Sequence, residues 1–168
     1  MAAYTTIDDG GVYFNPKIYT GTGSSLAITG VGFQPDFVWI KNRDTTDFNV
    51  VTDAVRGATK YFESNSSAAE VTNVESLKSF DSDGFTVGTQ VDVNTNTEDY
   101  VSWNWKAGTT TGIDATGVTI TPSSYSFNQT AGFSIIRYTG NGVAGATVPH
   151  GLGVAPKFIL VKNLALSS

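Results

Sequence analysis

One phrase in this chain is written twice, and it limits the fold more than anything else in the sequence. Gly32-Phe33-Gln34-Pro35-Asp36-Phe37-Val38-Trp39-Ile40-Lys41-Asn42 returns as Gly153-Val154-Ala155-Pro156-Lys157-Phe158-Ile159-Leu160-Val161-Lys162-Asn163, at an offset of 121 (Pro35 to Pro156). Proline fixes φ and has no N–H to give, so it belongs at the first residue of a strand or on an edge. The short apolar run that follows, closed by Lys-Asn, has the length and content of a buried strand. A second pair of phrases, Tyr19-Thr20-Gly21-Thr22-Gly23 and Tyr138-Thr139-Gly140-Asn141-Gly142, stands at an offset of 119 (Tyr19 to Tyr138). The repeat is therefore an ordered pair of strands joined by a turn.

A period of this size exceeds solenoid units, which run to roughly 50 residues, and matches a whole domain. The sequence divides into an N-terminal arm (1–10), one module (11–131) and the first strands of a second copy (132–168). Two or three strands cannot bury both faces alone. They are expected either to complete the first sandwich or to belong to a truncated second module.

Between the repeats, turn residues mark out short strands. Extended segments are expected at Val12–Tyr19, broken at Asn15-Pro16, and at Leu26–Ile28, Phe37–Lys41 and Phe48–Val51. Thr59–Ser64 reads as a strand, because Gly57 and Asn65-Ser66-Ser67 weaken the helical spacing of Val55, Ala58 and Phe62. Leu77–Phe80 and Phe85–Gly88 form a hairpin about Asp81-Ser82-Asp83-Gly84. Asp92–Glu98 is a polar loop, and Lys106–Phe127 a Gly, Thr and Ser-rich linker or weakly packed strand pair with a short run at Val118–Ile120. Gly132–Tyr138 is a strand. In Tyr100–Trp105, period two sets Val101, Trp103 and Trp105 against Tyr100, Ser102 and Asn104. The apolar set is expected in the core, which leaves Tyr100, Ser102 and Asn104 as the ligand-facing candidates. Many short strands punctuated by Gly, Asn and Asp predict an all-β, antiparallel β-sandwich.

Composition narrows function. The 168 residues include no cysteine, so disulfides, thiolate metal sites and a Cys nucleophile are excluded. A net charge of −5 and a pI near 4.6 argue against nucleic acid as a partner. No apolar run approaches membrane-spanning length and the N-terminus lacks a signal-peptide pattern, so a soluble protein with no cleaved leader is expected. Gly140-Asn141-Gly142-Val143-Ala144-Gly145 fits a dinucleotide fingerprint, but Pro149, Gly151 and Gly153 forbid the helix it needs. His150 is the only histidine, and Thr29 holds its place in the first copy, so it reads as a loop residue. Asp81, Asp83 and Asp99 are turn or loop carboxylates and do not form a glycosidase pair on a strand. Asp81-Ser82-Asp83-Gly84 begins like a calcium loop without the remaining ligands, which makes loop calcium a subordinate reading; no cofactor is expected.

Four phrases carry a resemblance: Phe33–Arg43, Val55–Tyr61, Ser79–Phe85 and Tyr100–Gly108, with Ala3–Asp9 before them. In this order they resemble a module of virion proteins of tailed bacteriophages, especially phages of aquatic bacteria. The resemblance covers nearly the whole chain and implies a concanavalin A-like jelly roll, often in tandem. It implies a non-enzymatic tail-fibre, appendage or capsid-decorating component of the virion, assembled in the bacterial cytoplasm. Its partners would be other virion proteins and further copies of itself, and through host adsorption a host surface glycan, with no membrane insertion. It brings no catalytic residues. A carbohydrate-binding, lectin-like module and a polysaccharide depolymerase stay open as alternatives.

Overall fold

A computed structural model describes residues 9–165. Most of the N-terminal arm, with Ala3–Asp8 of the resembling phrase, lies outside the described residues, as do residues 166–168.

The chain is all-β with antiparallel sheets stacked as a sandwich. Its strands are β1 (Phe14–Thr20), β2 (Leu26–Ile28), β3 (Phe37–Asn42), β4 (Val50–Asp53), β5 (Lys60–Glu63), β6 (Val71–Thr72), β7 (Leu77–Asp81), β8 (Gly84–Val87), β9 (Asp99–Trp105), β10 (Ser124–Asn128) and β11 (Phe133–Arg137). One helical turn, α1 (Val91–Asn94), occupies the start of the expected polar loop. The larger sheet runs β1-β9-β3-β4-β5-β6, the smaller β2-β8-β7, and β10 and β11 form a sheet of two, with a single bridge from Phe127 to Thr109 on the far side of β10. Ile28, Leu77, Phe85 and Val87 of the smaller sheet meet Val38, Ile40, Val50, Tyr61 and Tyr100 of the larger, and the core lies between them.

The repeated phrase behaves as its chemistry requires. Pro35 precedes β3, whose residues alternate between buried and half-buried. Asn42 closes the strand because its Oδ1 accepts from Asp44 N (2.9 Å) and Thr45 N (3.2 Å), turning the chain away from the sheet. The β7–β8 hairpin turns at Ser82-Asp83, and Gly84 is fixed there by geometry: its φ is +150°, and a Cβ would collide with the Ile28 carbonyl oxygen.

Several expectations are corrected. Pro16 does not break β1, which runs through it. An outermost strand leaves one side of its backbone unpaired, and a proline is tolerated there. The strand expected at Phe48–Val51 lies at Val50–Asp53, where Thr52 and Asp53 pair with Val38 and Phe37 of β3. Val118–Ile120 forms no strand; instead Ile120 N bonds Thr147 O at 3.0 Å. Of the two readings of Lys106–Phe127, linker or weakly packed strand pair, the strand reading holds at its end, which enters β10, the partner of β11, while Thr109 bridges Phe127. Phe158–Val161, the second copy of β3, belongs to no strand.

Candidate interaction surface

The orientation of β9 decides which residues can meet a partner, and it is the reverse of the one expected. Tyr100, Ser102 and Asn104 are all fully buried and face the smaller sheet. Tyr100 stacks on Tyr19 with ring centroids 5.2 Å apart. Its hydroxyl accepts from Thr95 N (2.9 Å) and donates to the Val91 carbonyl (2.8 Å). Asn104 Nδ2 donates to Asn15 O (2.8 Å) and Ser102 Oγ (3.1 Å). The Tyr100 hydroxyl and the Asn104 Nδ2 find partners in the core, which offsets much of the cost of burying them, while Asn104 Oδ1 is buried without one. None of the three faces a ligand.

Burial raises the Tyr19 phenol well above its usual value, with Tyr100 adding to the shift, and burial raises Tyr100 as well. Both favour the neutral folded form. Their share of stability is complete below the ordinary phenol range and is lost as pH rises towards the raised values.

The outer face of the larger sheet carries the aromatic set. Residues directly opposite share a face, and the registers align Pro16, Trp103, Trp39, Val51 and Phe62 in one row across five strands. A second row holds Phe14, Trp105 and Phe37. Trp105 lies between the other two, 4.7 Å from Phe14 and 5.4 Å from Phe37. Phe133 of β11 packs onto this row, stacked on Trp105 at 5.7 Å, and so ties the second copy to the first.

Beside the first row sits a buried charge cluster. Arg56 spans Asp53 and Glu70, donates to the Val51 carbonyl (2.9 Å) and lies 4.8 Å above the Phe62 ring. The C-terminal stretch crosses here too. Lys162 Nζ reaches Ser66 O (2.6 Å), and Leu164 O accepts from Glu70 N (3.0 Å). Between Phe62, Ser64, Ser66 and Ser67 on one side and Leu160–Asn163 on the other lies an open groove of about 450 Å³. In this stretch Ile159 and Val161 are each 69% exposed, whereas their counterparts Val38 and Ile40 are 0% and 1% exposed, and Phe158 is 76% exposed where its counterpart Phe37 is half-buried.

The remaining sequence candidates are held internally. Asp83 accepts from Gly30 N (2.9 Å) and Gly32 N (2.6 Å), which holds its carboxyl below the usual range. Asp81 accepts from Ser79 Oγ and Thr86 Oγ1. The two carboxylates of the would-be calcium loop thus serve different partners. Among the described residues no three His, Asp or Glu side chains gather as a metal site. His150 Nδ1 accepts from Leu152 N at 3.2 Å, shaping its own loop. Residues 140–145 are irregular, with a bend at Gly142 and a turn at Ala144-Gly145, and no helix follows them among the described residues.

Asp36 was not singled out by the sequence beyond its place in the repeat. Its carboxylate accepts from Ala107 N (2.8 Å) and Ser126 Oγ (3.3 Å), joining β3 to β10. Burial pushes its carboxyl up despite these donors and the nearby Lys106 charge. A raised carboxyl binds its proton more tightly when folded, so ionisation costs stability, and that cost disappears as pH falls to the ordinary range. Asp36→Asn is expected to be at least as stable as the parent at pH 7, with an advantage that shrinks on acidification. Urea unfolding at pH 4.5 and pH 7 checks this, and an advantage that grows at the lower pH would overturn it.

Residues 9–168 match a family described as "Domain of unknown function (DUF7483)". The chain belongs to this family. The matched span takes in the sandwich, the β10–β11 pair and the C-terminal stretch. No curated protein and no solved structure matches the chain.

Proposed function

We propose that this DUF7483 chain is a non-enzymatic structural component on the surface of a tailed-bacteriophage virion. It would be a tail-fibre or appendage subunit or a capsid decoration, built on a concanavalin A-like jelly roll and contributing to host adsorption. The four ordered phrases that resemble such modules support the setting. The structural observation that carries the reading is the uncovered Phe158–Val161 stretch, an apolar segment of core-strand sequence that the isolated chain leaves in water. Contiguous apolar exposure of this kind marks a surface that another protein covers.

The glycan-binding alternative loses the residues it relied on, because Tyr100, Ser102 and Asn104 lie in the core. The depolymerase alternative is weakened likewise, since Asp81 and Asp83 are engaged by internal donors and Asp99 accepts from Thr20 Oγ1.

The test is to purify particles from an infected culture that encodes the chain and identify their proteins by mass spectrometry. The chain is expected among the particle proteins in multiple copies. A particle preparation without it would overturn the reading.

A further inference from the structure

β10 lies against one end of the larger sheet, where Ser126 meets Asp36, and an open cavity of about 370 Å³ sits at this junction. Separate parts of the chain build it. Asp36 precedes β3, Ala54 and Val55 lie in the turn after β4, and Thr110 follows the residue that bridges to β10. Ser123–Ser126, at the start of β10, complete the wall. The volume falls within the range of small-molecule sites, roughly 300–1,000 Å³.

The walls are fixed before anything enters. Asp36 N donates to Trp105 O (2.8 Å) and Asp36 O accepts from Ala54 N (2.8 Å), so the main chain ties these parts together. Asp53 Oδ1 accepts from Arg56 N (2.9 Å) and holds the turn that carries Ala54 and Val55. Ser126, 1% exposed, accepts from Gly108 N (2.8 Å) and donates to Asp36 Oδ1 (3.3 Å). Ala107 N donates to the other carboxylate oxygen at 2.8 Å. A site held in this way loses little freedom on binding.

What the walls still offer is chemically uniform. Each carboxylate oxygen accepts more than one hydrogen bond, so Asp36 keeps acceptor capacity on both. Tyr125 OH accepts from Ile113 N (3.2 Å), which leaves its proton to donate. Ser123 Oγ donates to Arg137 O (3.1 Å) and keeps its lone pairs. The Thr110 and Ser124 hydroxyls line the cavity with no hydrogen bond to the described residues. Ala54 and Val55 add an apolar side. The carboxylate repels an anion, and the nearby Lys106 charge offsets it, so the cavity has little call for a cation. Hydroxyls that both give and take, one charged acceptor and a small apolar wall fit a neutral ring with hydroxyls on adjacent carbons.

We infer that this cavity binds one neutral polyhydroxylated ring, of the kind a sugar unit presents. Asp36 accepts from the ring hydroxyls, and Thr110, Ser124 and Tyr125 complete the hydrogen bonds. A carboxylate suits a pair of adjacent hydroxyls, since each oxygen takes one and charge strengthens both bonds. The site is separate from Tyr100, Ser102 and Asn104, which lie in the core. The inference deepens the host-adsorption part of the proposed function and rests on that reading only for the origin of the sugar.

Saturation-transfer NMR on the full chain tests the site, with glucose, galactose, mannose, N-acetylglucosamine, maltose and lactose as probes. A saturable response to at least one is expected, with a dissociation constant of about 1 mM, in keeping with what so few atoms contribute. Asp36→Asn, expected above to fold stably, removes the charged acceptor and is expected to weaken binding about tenfold or more. Thr110→Trp fills the cavity from an exposed position and is expected to abolish the response while leaving the thermal melt unchanged, which keeps the test decisive if Asp36→Asn unfolds. No saturable response to any probe, or binding that either folded variant leaves unchanged, overturns the inference. Maltose bound more tightly than glucose, or lactose more tightly than galactose, assigns the ligand to the end of a glycan chain. Equal binding assigns it to a free sugar, and either result supports the site. Particle mass spectrometry reads the virion setting separately, so either idea can fail without the other.

Discussion

Arg56→Ala is expected to lower stability by about 3–5 kcal/mol, the usual result of removing one partner from a buried ion pair. The Arg56 side chain is 4% exposed and Asp53 is 5% exposed, so solvent does little to soften the loss. Truncation strands the Asp53 carboxylate beneath the sheet, leaves Glu70 without its cation, and removes a donor from the Val51 carbonyl. It also uncovers the Phe62 ring. For a chain of this size the melting temperature is expected to fall by on the order of 10 °C. Arg56→Lys restores the charge but not the fork that reaches three acceptors, so it is expected to recover only part of the loss. Calorimetry of the two variants checks this, and an Arg56→Ala melt within 2 °C of the parent (about 1 kcal/mol or less) would sink the argument.

Tyr100→Ala is expected to cost about as much, roughly 3–5 kcal/mol, because it opens a cavity where a large ring is fully buried against Tyr19. Tyr100→Phe isolates the hydroxyl: it leaves Thr95 N and Val91 O without that partner and is expected to cost about 1–3 kcal/mol. Equilibrium unfolding in urea separates the two contributions. A Tyr100→Ala chain as stable as the parent would mean that Tyr100 does not occupy the core position described here. The pair also matters for reading any binding assay, since a loss of binding in Tyr100→Ala would reflect unfolding and not a missing ligand contact.

The elements that sequence reasoning located well were those with their own punctuation. Pro35 and Asn42 bound β3, Asp83-Gly84 forces the β7–β8 turn, and Gly57 with Asn65 leaves room only for the short β5. The sandwich class followed from such signals. The face of β9 did not, because alternation gives a period but not a direction. Tyr, Ser and Asn look outward-facing until the partners of their hydrogen bonds are known, and those partners, Val91, Thr95 and Asn15, come from other parts of the chain. Trp103 and Trp105 look like core for the converse reason, though they lie on the outer face, where Trp39, Phe14 and Phe133 cover them in part. β10 was obscured because Ser124-Tyr125-Ser126-Phe127-Asn128 becomes a strand only beside β11. Phe158–Val161 shows the opposite failure, a clear strand sequence that pairs with no strand among the described residues.

The order of the larger sheet also bears on how the chain reaches its native state. Among the described residues β1 comes first in the chain and pairs with β9 alone, so it has no strand partner until residue 105 is available. β9 then enters between β1 and β3 and engages both at once. Contacts this distant in sequence are slow to form, since a long loop must close before any bond rewards it. Folding is thus expected to wait for β9 and then complete in one late step, with the Trp39–Trp103 contact as its fluorescence reporter. A chain stalled on the ribosome before Trp105 would expose β1 and one edge of β3 together, and this is the interval in which it most needs a chaperone.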